Sequence, residues 1–142
     1  MSVASILSGK DGDVLTVTPD QTIDAASKIL AERKVGAVIV VSPARKVAGI
    51  LSERDIVRGL AAHGADVLKQ PVSRLMTEAV TVCDRAESID NVMRKMTDGR
   101  FRHMPVVEDG ELVGVVSIGD VVKHKIANLQ HEAEALRDYV MS

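Results

Sequence analysis

Two segments of the chain share one pattern, Gly-h-h-Ser-x-x-Asp with h apolar: Gly49-Ile50-Leu51-Ser52-Glu53-Arg54-Asp55 and Gly114-Val115-Val116-Ser117-Ile118-Gly119-Asp120. A serine opening a helix holds its hydroxyl among unpaired backbone N–H groups at the positive end of the dipole. That setting suits a phosphate, and a carboxylate one turn later suits the paired hydroxyls of a ribose. The same Ser-x-x-Asp spacing also reads as a capping box, with Asp in place of Glu or Gln, on a helix that binds nothing. One copy alone favours the cap. Two copies, each behind a glycine that lets a ligand or backbone approach closely, favour a ligand site.

No other grouping has the spacing of a catalytic or metal set. There is no Gly-x-x-x-x-Gly-Lys-[Ser/Thr] loop, and Gly110-Glu111-Leu112-Val113-Gly114 reads as a strand between two glycines rather than a dinucleotide turn. His63, His103, His124 and His131 lack zinc-motif spacing, so no metal is expected. Cys83, the one cysteine, reads as a small residue after a strand, standing where the first half of the chain has Thr18. No base is identifiable beside it, and no catalytic residue is assigned.

The elements that must position the two motifs are themselves written twice. Thr16-Val17 recurs as Thr81-Val82, Ile23-Asp24 as Ile89-Asp90, and Gly49-Ile50-Leu51-Ser52 as Gly114-Val115-Val116-Ser117. Upstream, Val3, Ile6, Leu7 and Ser8 match Val72, Leu75, Met76 and Thr77, with the extra residues absorbed by Gly9-Lys10-Asp11-Gly12-Asp13. Thr22 and Ser88 are helix N-caps, each followed by an acid near the positive end of the dipole. Ile89, Val92, Met93 and Met96 hold helical spacing, as Ile23, Ala26, Ile29 and Leu30 nearly do. Two hairpins follow, 37–41 with 47–51 and 104–107 with 112–116, the second around an Asp109-Gly110 turn. Ser52 and Ser117 then open a second helix in each copy. The order is β-α-β-β-α, twice, in an α+β fold. The repeats are expected at 1–71 and 72–126, with a helical extension over 127–142. Each copy alone is marginal in size, so the two should share an interface.

Composition excludes several classes. Eighteen Lys and Arg against twenty Asp and Glu in 142 residues give a formal charge of −2, no excess that points to nucleic acid or a membrane surface. With one Phe, one Tyr and no Trp, the chain has no succession of aromatic platforms for single-stranded bases. The longest apolar run, 36–41, is far short of a membrane span. A single cysteine and an N-terminus without a signal-peptide pattern lead to a cytoplasmic expectation.

The duplicated element order, Arg102-His103-Met104-Pro105-Val106-Val107 and both Gly-h-h-Ser-x-x-Asp segments together resemble a tandem pair of CBS domains, a Bateman module, over essentially residues 1–142. The stretch 49–58 is similar to the form found in small stand-alone bacterial pairs, and no attached catalytic domain is expected. The resemblance implies two repeats packed with pseudo-twofold symmetry. It also implies a non-enzymatic sensor holding an adenosine derivative (AMP, ADP, ATP, NAD or S-adenosylmethionine) in the cleft between them. Carried over by motif, Asp55 and Asp120 hold ribose hydroxyls, and Ser52 and Ser117 meet phosphate. Thr16, Val17, Thr81 and Val82, with Ala37, Val38, Ile39, His103, Met104 and Pro105, flank the adenine. Phosphate charge is expected to be met by Arg102 or His103 in one site and by Arg54 or Arg58 in the other. The rival readings are a constitutive interaction module with empty clefts and a cryptic nucleotide enzyme.

Val122, Ile126, Leu129, Ala133, Leu136 and Val140 form one apolar stripe along the C-terminal helix. It covers either the chain's own sheet or a second chain, and the resemblance tips the expectation to a homodimer, with an unidentified protein target beyond it.

Overall fold

The structure is a computed structural model, and it describes residues 2–9 and 14–141. The extra residues expected between the first helix and first strand, 10–13, lie outside the described ones. In order, the elements are α1 (Val3–Ser8), β1 (Thr16–Val17), α2 (Ile23–Arg33), β2 (Ala37–Val41), β3 (Val47–Ser52), α3 (Glu53–His63), α4 (Ile89–Gly99), β4 (His103–Glu108), β5 (Glu111–Ser117) and α5 (Ile118–Met141). Short 3-10 turns at Ala65–Lys69 and Val72–Arg74 lead into the second copy.

Local chemistry explains the helices and hairpins. The Thr22 hydroxyl accepts the Ala25 N–H and the Ser88 hydroxyl accepts the Asn91 N–H, both at 3.1 Å, capping α2 and α4 as expected. Both helices end on a cation in the left-handed region, Lys34 (φ 56°) and Arg100 (φ 57°). The β4–β5 turn puts Asp109 (φ 52°) and Gly110 (φ 81°) at positive φ, the two-residue turn an Asp-Gly pair predicts.

The sheets differ where the repeats were expected to match. In the first copy β1 runs parallel to β2, pairing Thr16 with Ile39 and Val17 with Val40, and β2 pairs antiparallel with β3. In the second, β4 and β5 pair alone, and the strand expected at Thr81-Val82 is reduced to one parallel bridge between Cys83 and Val106. Cys83 N donates to the Pro105 carbonyl at 3.0 Å and Val107 N to the Cys83 carbonyl at 2.8 Å. The next rung back requires an N–H from Pro105, which has none; the first copy has Ile39 there. This register also corrects the repeat match: Cys83 is the counterpart of Val17, not of Thr18, and Thr81 the counterpart of Leu15.

Two separate cores form, and each takes its leading segment from the other copy. Val3 and Ile6 of α1 are fully buried among Ile89, Val92, Met96, Met104, Val106 and Val116 of the second copy. Val72 is buried in return among Val17, Ile23, Leu30, Val40 and Leu51 of the first. Backbone bonds repeat the exchange: Val3 N to the Glu87 carbonyl (2.9 Å), Val72 N to the Gln21 carbonyl (2.7 Å), and Ile50 with Thr77 in both directions (2.9 Å). The motif glycines make room for it. A Cβ on Gly49 would lie 2.7 Å from the Thr77 carbonyl oxygen, and one on Gly114 would lie 2.6 Å from a Leu7 methyl. Their first role is therefore close approach of the partner copy's chain, the backbone alternative read from sequence.

The last helix is one continuous rod of 24 residues that carries on past the repeat. Lys125 on α5 ties to Asp90 on α4 at 2.9 Å, and of α5's residues only Val121 is buried. The predicted stripe is left exposed in the single chain: Ile126 is 51% and Val140 73% accessible. Among the described residues no helix is long and apolar enough to cross a membrane.

Candidate functional site

The two Ser-x-x-Asp segments stand where β3 meets α3 and β5 meets α5. Both form the reciprocal cap. Asp55 N donates to Ser52 Oγ (3.1 Å) and Ser52 N to Asp55 Oδ2 (3.0 Å); Asp120 N donates to Ser117 Oγ (3.1 Å) and Ser117 N to Asp120 Oδ2 (3.0 Å). The capping role is thus realised at both sites. It does not exhaust the groups: each serine oxygen accepts, so its O–H proton can still be donated, and Asp55 Oδ1 takes no bond among the described residues.

Each cap opens on a cavity walled by both copies. The larger, about 630 Å³, lies at Ser52 and Asp55 and is lined from the first copy by Ile50, Arg54 and Arg58 and from the second by Thr77, Val80, Thr81, Arg100, Phe101 and Arg102. The other, about 550 Å³, lies at Ser117, lined by Val113 and Val115 of the second copy and by Leu7, Val14, Leu15, Lys34 and Val35 of the first. Gly36, Ala37 and His103 line both, so the starts of β2 and β4 form a shared wall. The corrected register makes the symmetry plain: Val14-Leu15 line one cavity where Val80-Thr81 line the other.

Of the residues named from sequence, Ala37, Ser52, Arg54, Asp55, Arg58, Thr81, Arg102 and His103 line the Ser52 cavity, while Ile39 and Ser117 line the other. Val17, Val38 and Met104 turn their side chains into the cores. Thr16, Val82, Pro105 and Asp120 are not among the lining residues of either. One expectation is corrected for Arg102: it lines the same cavity as Arg54 and Arg58, α3 of the first copy facing the lead into β4 of the second, whereas His103 lines both cavities. Arg100, Val80 and Val14 were missed. The signal was available in the 66-residue offset, which aligns Arg100 with Lys34 at the end of each first helix.

Cys83 belongs to the second core. It is buried beside Pro105, and burial, with Glu87 nearby, pushes its thiol up to about 12, so it is a protonated core group at neutral pH. Among the described residues no three His, Cys, Asp or Glu side chains gather where they could hold a metal.

A family model for the CBS domain matches residues 4–62 and 72–127. The chain belongs to the CBS-domain family. The fold is the mixed α+β architecture of a CBS pair: the CBS-domain containing protein ATU1752 from Agrobacterium tumefaciens is similar over 87% of this chain and 92% of its own, at 46% identity and a TM-score of 0.82. The mitochondrial CBS domain-containing protein CBSX3 of Arabidopsis thaliana is 36% identical over 135 residues, 92% of this chain, and the chain spans 65% of that relative's length. A second similar structure is the CBS domain pair of protein MJ0100 in complex with 5′-methylthioadenosine and S-adenosyl-L-methionine, at 25% identity and a TM-score of 0.79 over 90% of this chain and 98% of that one.

Proposed function

We propose that this CBS pair is a non-enzymatic regulatory module that binds an adenosine-containing ligand (AMP, ADP, ATP or an NAD-like molecule) in the cavities between its two copies. The observation that carries the reading is the Ser52 cavity, where a helix-capping serine and a carboxylate with an uncommitted oxygen face cations from the other copy. That is the donor and acceptor set a phosphorylated ribose requires. The complex formed by MJ0100 supports it from a relative. A ligand held between two copies regulates when it favours one relative arrangement over another.

The test is calorimetric titration of the nucleotide-stripped protein with AMP, ADP, ATP, NAD and S-adenosylmethionine, paired with melting scans. Saturable heat and a melting temperature raised by several degrees are expected, since ligand at 100 times Kd adds about 2.7 kcal/mol per site. No heat and no shift across the panel would turn the assignment to a constitutive interaction module.

The reading includes a homodimer through α5. Ile126, Leu129, Ala133, Leu136 and Val140 repeat at alternating spacings of three and four, the seam of two packed helices. Glu132 and Arg137 flank that seam on opposite sides five residues apart, placed to pair between two parallel copies. The parent should sediment as a dimer and the Leu129→Asp/Leu136→Asp variant as a monomer with its cavities intact. A monomeric parent would remove the dimer.

A further inference from the structure

Four guanidinium groups line the Ser52 cavity, and none is in a salt bridge among the described residues. Arg54 and Arg58 stand four residues apart on α3 and so share a helix face, where like charges repel. Arg100 occupies the left-handed position ending α4, which glycine or asparagine ordinarily fills. Arg102 follows two residues later. The acids on the same walls are Glu53 and Asp55, and Asp55 is engaged through Oδ2 with the Ser52 N–H. The cationic groups therefore outnumber the acids around a helix N-terminus that already suits one phosphate.

The other cavity is built differently. Its cationic lining among the described residues is Lys34, Arg85 and the shared His103, and Arg85 is paired with Glu108 at 3.1 Å. Most of the rest is apolar. Arg54 and Arg58 are also separated along the α3 axis by about 6 Å, a length along which successive phosphates of one chain can each meet a cation.

We propose that the Ser52 cavity takes a nucleoside di- or triphosphate in preference to a monophosphate, and that this preference belongs to that cavity alone. The nucleoside part rests on the adenosine reading above; the polyphosphate part rests on the four arginines. In calorimetry of the full, nucleotide-stripped chain, ATP should bind about tenfold tighter than AMP at one site per chain, with an advantage that shrinks as salt is raised. In the Arg58→Gln/Arg102→Gln variant, both positions being exposed, the ATP advantage over AMP should vanish while the melting temperature of the unliganded protein stays at the parent value. Equal affinity for ATP and AMP in the parent, or an advantage that survives in the variant, overturns the proposal and leaves the adenosine reading standing. Inorganic tripolyphosphate separates the two parts. If it binds the parent and not the variant while adenosine and the nucleotides do not bind, the adenosine reading falls and the polyphosphate cavity stands; if nothing binds, both fall.

Discussion

Ile6→Ala lowers the free energy of unfolding by about 2–5 kcal/mol, and the copy it loosens is the second, although residue 6 opens the first. Ile6 is fully buried among Met96, Met104, Val106 and their neighbours, and truncating an isoleucine in such a place loses both its transfer energy and the packing around the cavity left behind. Against a total stability of about 5–15 kcal/mol for a domain, a loss of this size is visible in any denaturant titration. Its location is the more informative result. Hydrogen exchange should show lost protection in α4, β4 and β5, with β2 and β3 close to the parent. Val72→Ala should reverse the pattern, since Val72 sits in the first core. Loss of protection in β2 and β3 on truncating Ile6 would sink the exchange of leading segments.

That exchange marks the boundary of what could be read from the residues. The duplication, the Thr22 and Ser88 caps, the two hairpins and the Asp109-Gly110 turn rest on local spacing and backbone preference, and all are legible. Which copy a leading segment packs on is a long-range choice. Val3 and Ile6 carry the same apolar pattern whichever core receives them, so periodicity is silent. The glycines of the motif held a hint: Gly49 and Gly114 were read as permitting close approach, and what approaches is the other copy's chain. The missing strand in the second copy was also legible in principle, because Pro105 cannot supply the N–H that Ile39 supplies. Reading Thr81-Val82 by identity with Thr16-Val17 concealed it and shifted the wall of the candidate site by one residue. Arg54 and Arg58 lie in one copy and Arg102 in the other, so the sequence alone gives each copy its own cations. The fold places α3 of one copy opposite the lead into β4 of the other, and proximity across that interface leaves no mark on either segment alone.

Asp55→Ala weakens adenosine-nucleotide binding by about 10- to 100-fold, the range that follows from removing a charged hydrogen-bond partner worth about 1.5–3 kcal/mol. Asp120→Ala, the same change at the matching position, costs far less binding. The two aspartates make the same cap with the same geometry, Oδ2 to a serine N–H at 3.0 Å, so each substitution removes that cap, worth about 1 kcal/mol of stability, whatever else the side chain holds. They differ in what else they face. Asp55 lines the arginine-rich cavity and keeps Oδ1 for a ligand hydroxyl, whereas Asp120 is not among the residues lining either cavity. Asp120→Ala is therefore the control that separates cap from contact: melting scans should register both variants, and titration with AMP should register mainly Asp55→Ala. Equal losses of affinity would mean that the two carboxylates play the same part, as caps or as contacts in their own cavities, and would overturn the distinction drawn between them. An Asp55→Ala protein that binds as the parent does would take Asp55 out of the site and leave the Ser52 hydroxyl and the four arginines to recognise the ligand, so the ribose would no longer be gripped at its hydroxyls.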